Sequence, residues 1–341
     1  MPQNRNKPIF EILDLAYRVD MPKREWLREV AGCIYKHRHI GEGVLAYELD
    51  ISGGKSRPGE LISVEATEGI REFARNTGPL HRSLRSGVYH EVLKNGTHCS
   101  TTRTRLAQVG KTLADYPLLE DMIRKSGAYD IWAVSTVNPV GQTLNFAIPL
   151  SHPYSMGHEE AELWRKVGIH IAAGYRLRRW LSGRAVEGTA EAILRPDGKP
   201  LYLESRAISR KESLSRMVRS LDRAKVRDYK DAGSNTVDVW KGLLEGEWSL
   251  VDWVDTDGKR FILAIRNDPD VVAPKSLSRR EAQVATYIAQ GHSLKVVSYE
   301  LGIAVSTVGT HLRKALNKLD LDSHTELTWL YGELKGKYSR D

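Results

Sequence analysis

Residues 277–319 decide the fold of the C-terminal part of the chain, and they read LSRREAQVATYIAQGHSLKVVSYELGIAVSTVGTHLRKALNKL. Ser278 and Glu281 have the spacing of a capping box, in which the serine accepts a hydrogen bond from the third amide and the glutamate reaches back to the cap amide. Gly291 and Gly302 stand where two helical patterns stop, and glycine readily adopts the left-handed conformation that ends a helix. Ser293 is suited to cap the second helix. The pattern predicts three helices joined by tight turns.

The third predicted helix has two chemically different faces. Its apolar stripe repeats at helical spacing and consists of Val308, Leu312, Ala315, Leu316 and Leu319. Small polar and cationic side chains, among them Thr310, Arg313 and Lys314, occupy the other side. Two short helices joined by a glycine-containing turn are typical of a helix-turn-helix, whose second helix enters the major groove of DNA. A second capping box at residues 323–326 predicts a fourth helix.

Several motifs in this segment occur together and in register. They are Leu277-Ser278-Arg279-Arg280-Glu281, Gly291-His292-Ser293, Lys295, Leu301-Gly302-Ile303, Thr307-Val308, His311 and Lys318-Leu319. With them, residues 277–330 resemble the C-terminal DNA-binding domain of the LuxR/GerE regulators. The resemblance implies that Lys295 contacts phosphate, that the fourth helix pairs two protomers, and that double-stranded DNA is the partner. It also implies a DNA-facing set made of Ser306, Thr307, Thr310, Arg313 and Lys314. For His311, near the back of the helix, we expect a packing role.

The chain departs from the family at three positions. Leu294 stands where the family usually has Asn, Ala304 replaces the usual Ser cap of the recognition helix, and Gly309 replaces a common Lys or Arg. A lost cap and a mid-helix glycine each destabilise a helix by about 1 kcal/mol. A missing cation removes one phosphate contact. These departures leave open an alternative function, a protein-interaction or dimerisation scaffold whose degenerate helix-turn-helix no longer binds DNA.

The first half of the chain combines helical and extended patterns. We predict helices at 10–19, 25–37 and 159–182, strands at 44–49, 131–137 and 143–149, a breaker-rich stretch at 52–59 and a hairpin loop at 138–142. The order of these elements resembles a GAF-type sensory domain, which we expect at residues 1–183. The long helix at 159–182 is expected to link this domain mechanically to the domains on its C-terminal side.

The next segment contains two Asp-Gly turns, Asp197-Gly198 and Asp257-Gly258, each between two extended runs. Asp-Gly is a strong hairpin signal because such turns require positive φ. We predict hairpins at 190–204 and 249–265 with helices near 209–228 and 236–244, an arrangement that resembles a small PAS-like module. The expected fold class is multidomain α+β: a GAF-like α/β sensor at 1–183, a PAS-like α+β domain at 184–268, a linker at 269–276 and an all-α four-helix helix-turn-helix domain at 277–341.

Composition narrows the class of protein. The 341 residues include 51 Lys and Arg against 43 Asp and Glu, and 8 Trp and 14 Tyr spread along the chain exclude global disorder. The resulting pI of about 9.3 is compatible with a nucleic-acid partner. Two isolated cysteines indicate reduced thiols, and no apolar run suits a signal peptide or membrane span, so we expect a cytoplasmic location and no membrane partner.

The candidate motifs for catalysis and metal binding lack the residue spacing that their chemistry requires. Gly54-Lys55-Ser56 lacks the first glycine of a phosphate-binding loop, and His81, His90, His98 and Cys99 lack the paired spacing of zinc ligands. We interpret the basic stretch at 206–230 as a solvated helix face. No catalytic residue, metal or cofactor is predicted. The sequence therefore predicts a transcriptional regulator, not an enzyme, in which a small-molecule or protein signal at the N-terminal domains controls a homodimeric DNA-binding domain.

Overall fold

The computed structural model describes residues 7–50, 57–72, 74, 97–137, 142–181, 190–226, 248–254, 258–266, 277–319, 321, 323–325 and 327–328. Within these ranges the chain is a mixed α/β protein with two antiparallel sheets and a C-terminal helical unit. The mixed fold class predicted from the sequence is confirmed at this level, while the specific GAF-like and PAS-like folds and the domain boundaries stay predictions.

The helices and strands are numbered in chain order. The strands are β1 Val44–Asp50, β2 Arg57–Val64, β3 His98–Thr101, β4 Asp130–Val137, β5 Gln142–Leu150, β6 Ala190–Leu194, β7 Pro200–Leu203, β8 Trp248–Val254 and β9 Arg260–Arg266. The helices are α1 Lys7–Ala16, α2 Lys23–Arg38, α3 Thr102–Gln108, α4 Pro117–Lys125, α5 His158–Leu181, α6 Ser205–Ile208, α7 Lys211–Val226, α8 Arg279–Ala289, α9 Leu294–Leu301 and α10 Val305–Leu319. A short 3-10 helix spans Leu113–Asp115.

The first sheet has five antiparallel strands in the order β2-β1-β5-β4-β3. Successive side chains of a strand point to opposite faces, and here both faces are apolar. Trp132 and Val134 of β4 pack into a cluster with α1, α2 and α5, whereas Ile131 packs into a second cluster with α3 and α4. The sheet is therefore the middle layer between two helical layers.

One predicted boundary in this sheet is wrong. The breaker-rich stretch is expected to run through Gly59, but β2 already begins at Arg57 and contains Pro58 and Gly59. The strand tolerates them because it is the outermost strand beside β1, where a missing proline amide does not interrupt a ladder. The pairing also shifts between Tyr47 and Leu49, where Gly59 and Glu60 of β2 stand opposite the single residue Glu48, as in a β-bulge.

Helix α5 organises the layer on the first face of the sheet. It covers the predicted range to within one residue at each end, and Trp164 packs edge-on against Trp132 with ring centroids 5.2 Å apart. It approaches α1 so closely that a Cβ added at Gly174 would lie 1.8 Å from the carbonyl oxygen of Ala16. Only glycine permits this contact, which fixes α5 against α1.

The second sheet joins the two predicted hairpins. Its order is β7-β6-β9-β8, so β6 of the first hairpin pairs with β9 of the second. Gly198 and Gly258 have φ of 82° and 73°, as the Asp-Gly turns require. Buried residues of this sheet and of α7 belong to the same apolar cluster as α1, α2 and α5. The predicted helix at 236–244, the linker at 269–276 and the loop at 138–141 lie outside the described residues.

Candidate nucleic-acid interface

The C-terminal helices begin and end where the sequence predicts. Ser278 caps α8 and accepts from the Glu281 amide at 3.4 Å, while the Glu281 carboxylate accepts from the Ser278 amide at 2.8 Å. Ser293 caps α9 through the Val296 amide at 3.3 Å. Gly302 ends α9 in the left-handed conformation with φ of 62°. These local signals fix the angle between α9 and α10, which sets the orientation of a recognition helix.

The apolar stripe of α10 holds this helix on the other two. Val308 and Ala315 are fully buried, and Leu312, Leu316 and Leu319 pack against them from half-buried positions. Their partners in the cluster include Val284 and Ile288 of α8 and Val297 and Leu301 of α9. The back of the predicted recognition helix is thus docked on its scaffold, as expected.

The opposite face of α10 is open to solvent. Ser306, Thr310, Arg313 and Lys314 are exposed and Thr307 is half-buried. Ser306, Thr310 and Arg313 follow one another at spacings of four and three, so they lie along one side of the helix. Thr310 donates to the carbonyl oxygen of Ser306 at 3.0 Å. Neither Arg313 nor Lys314 has an ion-pair partner among the described residues.

Lys295 lies near the start of α9 and is exposed. The first amides of a helix and its dipole favour an anion at that end. A lysine placed beside them adds a full positive charge, so the start of α9 has the chemistry of a phosphate contact. The structure therefore brings the six predicted site residues to solvent on neighbouring helices, although their contacts with DNA stay predictions.

One contact that stabilises this unit is not predicted from the sequence. Lys318, near the end of α10, donates to the Glu281 carboxylate at 2.7 Å. The Lys318 ammonium, followed by the Ser278 amide, lowers the pKa of Glu281 to about 2. The same carboxylate therefore caps α8 and ties down the last turn of α10. Both residues belong to the family-like motifs, but their pairing across 37 positions has no local sequence signal.

The remaining predictions for this helix have distinct outcomes. His311 is half-buried, with a buried Nδ1 that lacks a hydrogen-bond partner among the described atoms, and burial lowers its pKa. A neutral, partly covered imidazole fits the expected packing role. A Cβ added at Gly309 would meet nothing within 4 Å, so no packing contact requires glycine there. Of the fourth helix, only residues 324–325 and 327–328 are described as helical; its remainder lies outside the described residues.

The upstream candidates for chemistry do not assemble into a site in the part of the chain that is described. His81, His90 and Gly54-Lys55-Ser56 fall outside it, while His98 and Cys99 lie on β3. Neither Cys33 nor Cys99 is part of a disulfide within the described residues, and burial raises the pKa of both thiols. No group of three or more His, Cys, Asp or Glu with metal-binding geometry occurs among the described residues. Nor is any helix within the described ranges both long and apolar enough to cross a membrane.

Comparison with known families agrees with this geometry. Residues 275–331 match the model of the luxR family of bacterial regulatory proteins. This segment is a LuxR-family helix-turn-helix domain, and the resemblance predicted from its motifs is confirmed. The match covers the three described helices α8, α9 and α10, together with the start of the fourth.

Individual relatives are similar over different parts of the chain. The transcriptional regulatory protein LiaR of Bacillus subtilis (strain 168) is 38% identical over 52 residues, which are 15% of this chain and 25% of LiaR. The chain thus spans about a quarter of the length of that relative. A structure of SdiA in complex with octanoyl-rac-glycerol has 9% sequence identity to this chain and a TM-score of 0.30. Its alignment covers 95% of this chain and 91% of the SdiA chain. A crystal structure of Escherichia coli SdiA gives 9% identity and a TM-score of 0.29, covering 99% and 98% of the two chains.

Proposed function

We propose that this protein is a DNA-binding transcriptional regulator in which the N-terminal sheets and helices control a LuxR-type helix-turn-helix. The LuxR-family domain and its similarity to LiaR suggest a transcriptional regulator. In this proposal α10 lies in the major groove, Lys295 contacts phosphate, and Ser306, Thr307, Thr310, Arg313 and Lys314 face the duplex.

The observation that carries the proposal is the division of α10 into a docked back and an open front. Val308 and Ala315 are buried in the domain core while Arg313 and Lys314 stand in solvent without ion-pair partners in the described structure. A cationic surface of this kind attracts phosphate because neutralising the DNA backbone releases condensed counterions. Were Arg313 and Lys314 covered by the protein itself, the proposal would fail.

In this proposal the protein acts as a homodimer whose two protomers pair through the fourth helix of the C-terminal domain. Two recognition helices then meet half-sites about one helical turn apart, as in other dimeric helix-turn-helix proteins. A ligand or partner protein bound by the GAF-like and PAS-like domains in the cytoplasm would change the separation of the two helices. Sedimentation with and without duplex DNA tests the dimer directly.

Gel-shift titrations over a salt series test the interface. Arg313→Ala and Lys314→Ala should each weaken binding and reduce the slope of log K against log salt by about 0.9. Lys211→Ala is the matched control, since it removes one charge from an exposed position on α7, outside the C-terminal unit. Equal slopes for all three variants would remove Arg313 and Lys314 from the interface.

The alternative, an interaction scaffold that no longer binds DNA, predicts a different outcome in a single experiment. Selection from random duplexes with the full chain enriches a palindromic element if the protein is a dimeric regulator. Failure to enrich any sequence, together with an affinity for DNA that does not change with salt, supports the scaffold. Ala304 and Gly309 favour this alternative, because the first removes the usual cap of the recognition helix and the second leaves its centre without a cation.

A further inference from the structure

A cleft of about 270 Å³ lies at one end of the first sheet. Three strands line it side by side, since Asp50 at the end of β1 pairs with Arg57 of β2 and with Gln142 of β5. Helix α5 contributes Tyr175 and Arg179, and the start of α2 completes the lining. Pockets for drug-sized ligands have about 300–1,000 Å³, so this cleft suits a smaller molecule.

One carboxylate of the cleft is neutralised from three directions. Glu48 of β1, whose side chain is 11% exposed, lies 3.2 Å from the Lys23 ammonium. It also accepts from the Tyr175 hydroxyl at 2.7 Å and from the Glu60 amide at 3.1 Å. Gly59 makes room for this carboxylate, because a Cβ added there would lie 2.6 Å from the Glu48 Oε2. The wall of the cleft is therefore a built polar network in which Glu48 is already satisfied.

The same network fixes the aromatic side of the cleft. Tyr175 stacks on Trp26, with ring centroids 6.2 Å apart and an interplanar angle of 15°. Burial raises the pKa of Tyr175, so its hydroxyl stays protonated and donates to Glu48. The Arg179 Cζ lies 5.9 Å from the centroid of the Tyr175 ring, within the range of a cation–π contact. The Arg179 guanidinium thus stands beside the cleft on a ring whose position is fixed.

Two cations of the cleft are not neutralised by the protein. Arg57 and Arg179 are exposed, and neither has an ion-pair partner among the described residues. Because Lys23 and Glu48 offset each other, the charges that remain are two guanidiniums and the Asp50 carboxylate. The cleft is positive on balance. A guanidinium presents a planar fork of donors that matches the two oxygens of a carboxylate or phosphate.

We propose that this cleft binds a small organic anion, a carboxylate or a phosphate monoester, whose oxygens bridge Arg57 of β2 and Arg179 of α5. Such an anion joins the edge strand of the first sheet to α5. Asp50 limits the charge of the ligand, because a second anionic group beside it is repelled. The inference goes beyond the proposed function, since no residue of the C-terminal unit lines the cleft.

Calorimetric titration of the full chain with inorganic phosphate and with acetate, at constant ionic strength and without DNA, tests the site. Arg57→Gln and Arg179→Gln should each weaken binding about fivefold or more, through loss of a charge-assisted hydrogen bond at an exposed position. Arg195→Gln is the matched control, because it removes an exposed guanidinium from a turn of the second sheet. Absence of binding of both anions to the wild type, or an equal loss in the control, would overturn the proposal.

Asp50→Asn tests the site in the opposite direction. Removing the like charge should tighten the binding of inorganic phosphate about twofold or more, and a gain of this kind cannot arise from misfolding. Unchanged or weaker binding by this variant would contradict the assignment. Tighter binding of phosphate than of acetate assigns the ligand to the phosphate monoesters, and the reverse order assigns it to the carboxylates.

Hydrogen exchange locates the bound anion. Phosphate should slow amide exchange in β1, in β2 and in the C-terminal half of α5, and Arg179→Gln should abolish this protection. Protection confined to α8, α9 and α10 would place the anion at the proposed DNA interface and overturn the cleft site. A chain that shifts duplex DNA but binds neither anion in the cleft keeps the proposed function and loses this inference, whereas binding in the cleft without any DNA binding does the reverse.

Discussion

Gly309 has two expected effects: it lowers the stability of the recognition helix, and it leaves position 309 without a cation that could contact phosphate. Replacing Gly309 separates these two effects. Gly309 lies inside α10, between the exposed Ser306 and Arg313, and its own position is half-buried. A Cβ built there would contact nothing within 4 Å. Alanine is therefore accommodated without displacing any described atom, and lysine adds a cation on the side of the helix that is proposed to face DNA.

The magnitudes come from helix propensity and counterion release. Gly309→Ala should raise the free energy of unfolding of the C-terminal unit by about 0.5–1 kcal/mol, because glycine costs that much in a helix interior. Gly309→Lys should gain a similar amount from the backbone and add one phosphate contact. One contact steepens the salt slope by about 0.9, which over a fourfold change in salt is about a 3.5-fold larger change in affinity.

Thermal unfolding and salt-dependent fluorescence anisotropy with duplex DNA measure these two quantities separately. Gly309→Ala is the matched control for Gly309→Lys, since both remove glycine and only one adds charge. Equal salt slopes for the two variants would show that position 309 does not face phosphate. A lower melting temperature for Gly309→Ala would show that α10 needs glycine for a reason outside its own helix.

Three further perturbations test the packing, capping and titration of the fold. Gly174→Ala should destabilise the protein by about 1–3 kcal/mol in chemical unfolding, since its Cβ would overlap the carbonyl oxygen of Ala16 and force α1 from α5; wild-type stability would contradict that contact. Ser278→Ala should lower the stability of the C-terminal unit by about 1 kcal/mol through loss of the α8 cap, and thermal melts that coincide with wild type would argue against the cap. Burial raises the pKa of Glu300 from 4.5 to about 7, and Arg176 offsets this only in part. The stabilising contribution of Glu300 is therefore fully present below about pH 4.5 and is lost as the pH rises through 7. The difference in melting temperature between wild type and Glu300→Gln should accordingly fall across that range, and a constant difference would refute the assignment.

The helix-turn-helix could be predicted because its signals are local. Ser278, Glu281, Gly291 and Gly302 each specify a helix end within a few residues, and the stripe through Val308 specifies which side of α10 is buried. The Asp-Gly hairpins were predictable for the same reason. Local backbone preference and tertiary structure agree at these positions.

The rest could not be predicted because it depends on partners distant in the chain. Pro58 and Gly59 indicate a break locally, yet β1 recruits them into an edge strand. The strand β3 and the helix α3 have only four and seven residues, so their own patterns are weak, and they form against β4 and the second apolar cluster. Helix α4 does have local signals, a proline in its first turn and Leu119 four residues before Ile123, and it could have been predicted. Tyr299 lies 129 positions from His170, with which its hydroxyl is hydrogen-bonded. An eight-residue helix with apolar residues on two sides does not reveal which partner each side will meet.

Helix α5 contacts several layers of the fold at once. Its opposite sides contact the sheet through Trp164 and α9 through His170, while Gly174 fixes its distance from α1. Tyr17, just after α1, and Tyr299 of α9 are hydrogen-bonded to the two ring nitrogens of His170. Because interiors are close-packed, a displacement of α1 or of the sheet that moves α5 must alter the position at which Tyr299 is held. The N-terminal layers and α9 are thus coupled through one helix, and Gly174→Ala, far from α9, should speed hydrogen exchange at Tyr299 as well as lower stability.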